Sequence, residues 1–281
     1  MTGFINFLKP PKMSSTRAVS FIKKLSKEKC GHLGTLDPFA CGVLPIALGK
    51  ATRLFDYLIN KTKIYKAVFR FGIETDTLDL DGQITKTNDK VVTIDEINSV
   101  LDEFTGIISQ MPPKFSAKKI NGERAYTLAR NGESVELKPA KVQIFKISAQ
   151  DFGNNEFAFE IHCSGGTYIR SLCRDIANRL NTCAVMICLI RTSSGFFNIQ
   201  SSKTEEQLKD NFEIIKCEEV LSEFDNCIID TERDRFLAIN GAPFNASVTQ
   251  AVKDIAFYHD TQLIGIGQKI DDKYKLDIRL I

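Results

Sequence analysis

Apolar and polar positions fall into runs that predict most of the elements. GFINFL, residues 3–8, is a short apolar run and predicts a strand, stopped by Pro10 and Pro11. Ser14 or Ser15 then caps a helix in which Val19, Ile22 and Leu25 share one face. Residues 30–54, CGHLGTLDPFACGVLPIALGKATRL, read as a glycine- and proline-punctuated loop. KIYKAVFRFG, residues 63–72, alternates as a strand does, and the acidic turn TDTLDLDG follows. Thr93 and Glu96 form a capping box for a helix over 93–105, with Ile94, Ile97, Val100, Leu101 and Phe104 as its apolar stripe. Strands are predicted near 142–149 and 156–163. GGTYIRSLCRDIANRL reads as a glycine turn into a helix, and SSGFFNI as another strand.

Between these lies a basic segment, 111–140, with paired prolines and two Asn-Gly dipeptides. It predicts an excursion from the core carrying Lys114, Lys118, Lys119, Arg124, Arg130 and Lys138. Near residue 201 the chain turns polar, and QSSKTEEQLKDN reads as a linker. Short apolar runs with NGAP and Asp-rich turns follow and predict a small β-rich module. Strands and helices interleave without a regular βαβ rhythm. The expected class is therefore α/β (α+β), a mixed and largely antiparallel sheet flanked by helices, with domains at 1–210 and 211–281.

Charge adds a polarity to this picture. The net charge of +2 divides into +10 over residues 1–70 (13 Lys+Arg, 3 Asp+Glu), −2 over 71–200 (14 and 16) and −6 over 201–281 (10 and 16). Either part of the molecule faces a polyanion or the charges are ordinary solvated surface. The 8 cysteines contain no CxxC pair and the 3 histidines are scattered, which disfavours structural zinc and suits reduced thiols used as small apolar residues. No stretch approaches the roughly 18 apolar residues that span a bilayer, and no signal peptide is evident.

The densest chemical signal is GHLGTLDP. Gly31, Gly34 and Gly42, with Pro38, shape a segment that presents Asp37. An Asp there is either a turn residue bonding its own backbone or a carboxylate held as nucleophile or base. GxGxxG, GxxxxGK[ST], HExxH, GxSxG and PCxxC are all absent.

GHLGTLDPFACGVLPIALGKATRL closely resembles the signature of the TruB family of bacterial tRNA pseudouridine synthases. KIYKAVFRFGIETDTLDLDG, PPKFSAKKINGERAYTLARNGE, CSGGTYIRSL and LIRTSSGFF extend the resemblance over about residues 3–200. It implies an isomerase that converts uridine 55 of the tRNA T-loop to pseudouridine, with no cofactor and no metal. It further implies Asp37 as the essential aspartate, Tyr65 as the ring that stacks on the target base and Arg170 as the partner of the aspartate. His32 matches a position implicated in opening the T-loop, Leu189 an active-site leucine and Asp76 an acidic position near the site. Gly34, Thr35, Leu36 and Tyr168 belong to the same blocks, and Lys9 and Lys63 to the basic front; all are expected at the substrate. Two stretches depart from the family pattern. The usual D-K-P-x-G-x-T-S reads Leu8 to Ser15 as LKPPKMSS, and the usual L-R-R reads Leu189, Ile190, Arg191.

The chemistry agrees with these assignments. Moving the glycosidic bond from N1 to C5 needs no redox change or group donor. It does need an ionised carboxylate, at C1′ or at C6, and a nearby cation keeps a buried carboxylate ionised. Extruding a stacked base costs a few kcal/mol, which an aromatic platform offsets. The expected partner is tRNA through its T-arm, with no protein partner and no membrane, in a cytoplasmic monomer. Two alternatives stand beside this reading: the catalytic subunit of a guide-dependent H/ACA complex, and a non-enzymatic RNA-binding protein that helps tRNA fold.

Overall fold

The computed structural model describes residues 1–59, 61–113, 119, 120, 123, 124, 137–248 and 254–281. Its larger part is built on β1 (Gly3–Lys9), α1 (Ser15–Ser26), β2 (Cys30–His32), β3 (Cys41–Leu48), β4 (Lys63–Phe71), α2 (Ile94–Leu101), β5 (Gly106–Gln110), β6 (Ala140–Gly153), β7 (Glu156–Cys163), α3 (Ile169–Arg179) and β8 (Ala184–Ser194). The strands form one sheet in the order β1-β3-β8-β4-β7-β6-β5, with β2 added on β3 and Phe197–Asn198 on β8. Every neighbour in this sheet is antiparallel except β3 and β8, which run parallel. The mixed, largely antiparallel α/β sheet expected from the sequence is the one present.

Burial explains why some elements were legible and one was not. β4 alternates, with Tyr65, Ala67, Phe69 and Phe71 buried on the face that α1, α2 and α3 cover. Across the β4–β7 pair, Phe69 and Phe159 stack with ring centroids 4.3 Å apart. β3 lies inside the segment read as a loop. Its Leu44, Ile46 and Leu48 join the helix-side core, and its Val43 and Ala47 join a second core on the opposite face. A strand buried on both faces loses the alternation that marks a strand in sequence. Thr93 and Glu96 form the expected capping box on α2.

The segment 201–215 is not a free linker, as its polar composition suggested. Phe4 and Ile215 exchange backbone hydrogen bonds of 2.8 Å each, Leu8 N–H donates to Lys203 O at 2.8 Å, and Lys203 N–H donates to Asn6 O at 2.9 Å. The segment straps the β1 edge of the sheet, and its side chains are polar because they face solvent. The expected excursion at 111–140 falls largely outside the described residues.

β9 (Asp225–Ile228), α4 (Glu232–Ile239), β10 (Ser247–Val248), β11 (Ile255–His259), β12 (Gln262–Ile270) and β13 (Lys273–Arg279) build a five-stranded sheet in the order β10-β9-β11-β12-β13. Phe244, Phe257 and Tyr274 centre its core. A shared cluster joins it to the larger sheet: Phe4, Leu33, Val43, Leu54 and Leu58 pack with Val220, Leu221, Phe224, Leu263 and Leu280. Among the described residues no helix is long and apolar enough to cross a membrane.

Candidate active site

Three anchors fix the turn that carries Asp37. β2 pairs with β3 up to His32 opposite Ile46, and Leu33 N–H then donates to Pro45 O at 2.9 Å. Gly34 follows at φ +115°, a conformation that side-chain-bearing residues resist. Ser15, at the start of α1, accepts from Leu36 N–H at 3.0 Å and donates to Leu36 O at 2.9 Å. Arg191 of β8, wholly buried, donates from Nε to Val43 O at 2.8 Å and from Nη2 to Gly34 O at 3.1 Å, with Nη1 3.4 Å from Thr35 O. Gly42 is required where β3 passes β8, because a Cβ there would collide with the Arg191 carbonyl.

Asp37 meets a fork. Arg170 Nε lies 2.9 Å from Asp37 Oδ2, and Nη2 donates to Oδ1 at 3.0 Å, the bidentate geometry that a guanidinium and a carboxylate share. Arg170 Nη1 donates to Thr77 O at 2.9 Å and lies 3.4 Å from Asp79 Oδ2. Arg170 is the second residue of α3, where the helix dipole disfavours a cation by about 0.3–1 kcal/mol. Two carboxylates outweigh that penalty, since charge-assisted hydrogen bonds contribute about 1.5–3 kcal/mol each. Burial pushes the Asp79 carboxyl up, while the Thr77 hydroxyl, the Arg170 guanidinium and Asp81 N–H draw it back.

Above this pair opens a cavity of about 340 Å³, within the range of about 300–1,000 Å³ usual for ligand pockets. Asp37, Arg170, Tyr65, Leu189, Lys63 and Ile59 are among its lining residues. Tyr65 is buried, which pushes its phenol up, and the Arg191 charge directly across the strand pair works against that shift. A phenol raised in this way stays neutral near pH 7. It offers a flat face and a hydroxyl donor rather than a phenolate base.

Nine residues named from the sequence meet at this cavity: Gly34, Thr35, Leu36, Asp37, Lys63, Tyr65, Tyr168, Arg170 and Leu189. Three do not line it. His32 sits at the end of β2, opposite Ile46 of β3. Asp76 is exposed, its Oδ1 taking Gln83 N–H at 2.9 Å in the turn; Asp79, three residues on, is the acid that reaches Arg170. Lys9 is corrected from an RNA-facing lysine to a buried strut. Its Nζ donates to Pro10 O and Met13 O at 2.8 Å and to Pro38 O at 3.2 Å, and burial lowers its pKa to about 8. The sequence reading missed Asp79, Arg191, Ile59, Gly166 and Thr167 at or behind the site. Arg191 carried a signal as a charge inside the apolar strand ICLIRTSS, Asp79 lies in the acidic turn TDTLDLDG, and Gly166 and Thr167 lie in CSGGTYIRSL; Ile59 carried none.

Comparison with known proteins places this geometry in a lineage. A family model described as the N-terminal domain of TruB family pseudouridylate synthase matches residues 23–169, and one described as the C-terminal domain of tRNA pseudouridylate synthase B matches residues 170–233. The chain is 38% identical over 284 residues to the tRNA pseudouridine synthase B of Clostridium tetani, covering 98% of each. It is 50% identical over 182 residues to that of Brucella ovis, covering 64% of this chain and 56% of the relative. Among solved structures, a chain in a Cbf5-Nop10-Gar1 complex superposes with a TM-score of 0.73 at 27% identity, covering 95% of this chain and 78% of the other. An H/ACA RNP bound to a substrate RNA shares the fold at a TM-score of 0.75 and 24% identity, covering 99% of this chain and 85% of the other.

Proposed function

The chain belongs to the TruB family of pseudouridylate synthases, and from that premise we propose that it isomerises uridine 55 in the T-loop of tRNA to pseudouridine, with Asp37 as the nucleophile. The observation that carries this reading is the bidentate Asp37–Arg170 pair at the cavity that Tyr65 lines. Arg170 holds both oxygens of the carboxylate, so that Asp37 meets the nucleoside in one orientation.

The target uridine leaves the RNA stack and enters the cavity. Flipping costs a few kcal/mol, and stacking on Tyr65 returns about 1–3 kcal/mol. Leu189 and Ile59 supply apolar walls, and Thr35 and Tyr168 supply polar ones. His32 and the exposed basic residues of the first 70 positions, Lys12, Lys23 and Lys24 among them, serve RNA docking, which phosphate contacts position without reading sequence. Recognition then rests on the shape of the T-loop and on its splayed bases. Residues 1–210 form the catalytic domain and 211–281 a small PUA-like module in this reading.

The decisive experiment maps pseudouridine in a bare T-arm hairpin incubated with this protein alone. Modification at the T-loop uridine, lost in Asp37→Asn while the RNA still binds, is the expected result. An unchanged Asp37→Asn rate overturns the site. A second reading, a guide-dependent subunit, draws on the likeness to the Cbf5 chain. The stronger likeness, 38% over nearly the whole chain against 27%, is to proteins named tRNA pseudouridine synthase B. Product formed only when a guide RNA and further proteins are added favours the second reading.

A further inference from the structure

Two cations at the cavity are not yet used in the chemistry, and Arg191 has so far only anchored the turn. Lys63 stands two residues before Tyr65 on β4, and Arg191 is the register partner of Tyr65 on β8. Both line the cavity. Lys63 is 5% exposed and Arg191 0%. Lys63 Nζ donates to Ile59 O at 2.7 Å and to Lys61 O at 3.1 Å, and the Arg191 guanidinium is spent on the carbonyls of Val43, Gly34 and Thr35. Among the described residues neither cation forms an ion pair with a carboxylate. Asp37 and Asp79 are already shared through Arg170. Around the turn Lys9, Lys63, Arg170 and Arg191 stand against Asp37 and Asp79, and of these cations Lys63 and Arg191 line the cavity without an ion-paired carboxylate. Buried charges are ordinarily matched, and an unmatched one at a binding cavity awaits an anion. An ammonium has three donors. Two of those on Lys63 are engaged by carbonyls, which leaves one for a ligand.

We propose that Lys63, backed by Arg191, forms an oxyanion site for the uracil ring and holds the negative charge the ring carries while it is detached from the sugar. The inference rests on the pseudouridylation reading and names the groups that stabilise its intermediate. When an Asp37 oxygen bonds to C1′, the N1–C1′ bond breaks and its electron pair stays on the ring. The ring becomes a monoanion with charge spread over N1, O2 and O4. It turns, C5 bonds to C1′ with an electron pair of the ring, and the C1′–O bond returns its pair to Asp37. The C5 proton passes to the freed carboxylate and on to solvent, and N1 takes a proton from solvent, so atoms and electrons balance as an isomerisation. Attack at C6 instead drives the ring's electron pair onto O4 and places the same demand on the cavity. Lys63 touches the ring oxygen and is the catalytic cation. Arg191 positions the loop carbonyls and adds its field.

The pH dependence separates this role from a merely structural one. Burial lowers Lys63 to about 8; Arg191 adds to that shift and the Cys163 thiol opposes it. The groups facing Lys63 are the Ile59 and Lys61 carbonyls from the preceding loop, Arg191 from β8, Cys163 at the end of β7, Tyr65 on its own strand and Asp37 across the cavity. Cys163, pushed up to about 11, and Tyr65, also raised, both stay neutral as the pH passes 8. Lys63 then loses its charge, whereas an arginine in its place does not.

The test measures single-turnover pseudouridine formation in a T-arm hairpin, together with hairpin affinity, for the full chain as wild type, Lys63→Met and Lys63→Arg across the alkaline range. Lys63→Met is expected to slow formation by about a hundredfold, with affinity changed by less than about threefold. The wild-type rate is expected to fall as the pH passes about 8, and the Lys63→Arg rate to persist to higher pH. The proposal is overturned if Lys63→Met keeps the wild-type rate. It is also overturned if rate and affinity fall in parallel, which marks a phosphate anchor, or if Lys63→Arg declines at the wild-type pH. Should Lys63→Met fail to fold, the comparison of Lys63→Arg with wild type decides alone. A wild type that makes no pseudouridine sinks the reading beneath the proposal instead, so the two failures are distinct.

Discussion

The ground under the catalytic turn and the small C-terminal sheet handle charge in opposite ways. Lys9, Lys63, Asp79, Arg170 and Arg191 are all buried around the turn, and Asp234 is the one buried charged side chain among the described residues of the small sheet. Asp234 there does local work, accepting from the Thr231 hydroxyl at 2.6 Å and from Asn245 N–H at 2.9 Å. The small sheet is held by packed rings, with Phe244 and Phe257 edge to face at 5.1 Å. Around the turn, buried cations sit on backbone carbonyls instead: Lys9 on Pro10, Met13 and Pro38, Lys63 on Ile59 and Lys61, and Arg191 on Val43 and Gly34, each at 3.2 Å or less. Desolvating a charge costs several kcal/mol, so a region that needs only stability avoids it. A region that must place an anion and a nucleoside accepts that cost and distributes the charge over fixed dipoles.

The contrast is broken most severely at Asp37. Asp37→Asn keeps the shape and removes the nucleophile; pseudouridine formation should fall by about a thousandfold or more, with the melting temperature nearly unchanged. Next comes Arg170→Ala, which frees Asp37 and leaves Asp79 without its cation. Breaking a fully buried pair costs about 3–5 kcal/mol. Because the Asp37 side chain is 30% exposed, a loss of about 2–3 kcal/mol in kcat/KM is expected, measured on the T-arm hairpin. A near-normal rate would show that the pair is ornamental.

Packing gives the third comparison. Phe244→Ala should destabilise by about 3–5 kcal/mol in urea titrations while the rate per folded molecule holds. Leu33→Ala should cost about 2–5 kcal/mol and slow the rate as well, because Leu33 anchors the turn to the shared cluster. Equal rate effects for the two variants would erase the distinction between the regions.

The smallest effect lies at the rim of the small sheet. His259 Nδ1 lies 2.7 Å from Ile229 O and Nε2 lies 3.1 Å from Glu232 Oε1. The Ile229 carbonyl, then Glu232 and Asp260, raise its pKa above the usual 6.5. A group raised on folding stabilises fully below its unfolded pKa, and that stabilisation is lost as pH rises through the folded one. The melting temperature should therefore drop slightly between pH 6 and pH 8, and Glu232→Gln should flatten the drop. A slope of the opposite sign refutes the assignment.

Legibility followed burial. β4, β7, the α2 capping box and α3 were readable because one face is buried and the pattern repeats. β3 was hidden by burial on both faces, and the strap at 201–215 by a backbone role that polar side chains do not announce. At the site, the turn and Arg170 were readable through glycine spacing and through a resemblance covering most of the chain. Asp76, Asp79 and Asp81 share one acidic turn, and only the path of that turn decides which of them reaches Arg170. Lys9 and Lys63 look alike in sequence. One is a strut and the other lines the cavity, because Lys9 bonds backward under Pro38 while Lys63 stands beside Tyr65.

The cluster joining Leu33 to residues beyond 217 also sets an order of assembly. During synthesis the glycine turn leaves the ribosome early, nearly two hundred residues ahead of the side chains that cover its underside. The pocket's own lining, between residues 34 and 191, is made before that sheet, so the late step adds support to the turn rather than a missing wall.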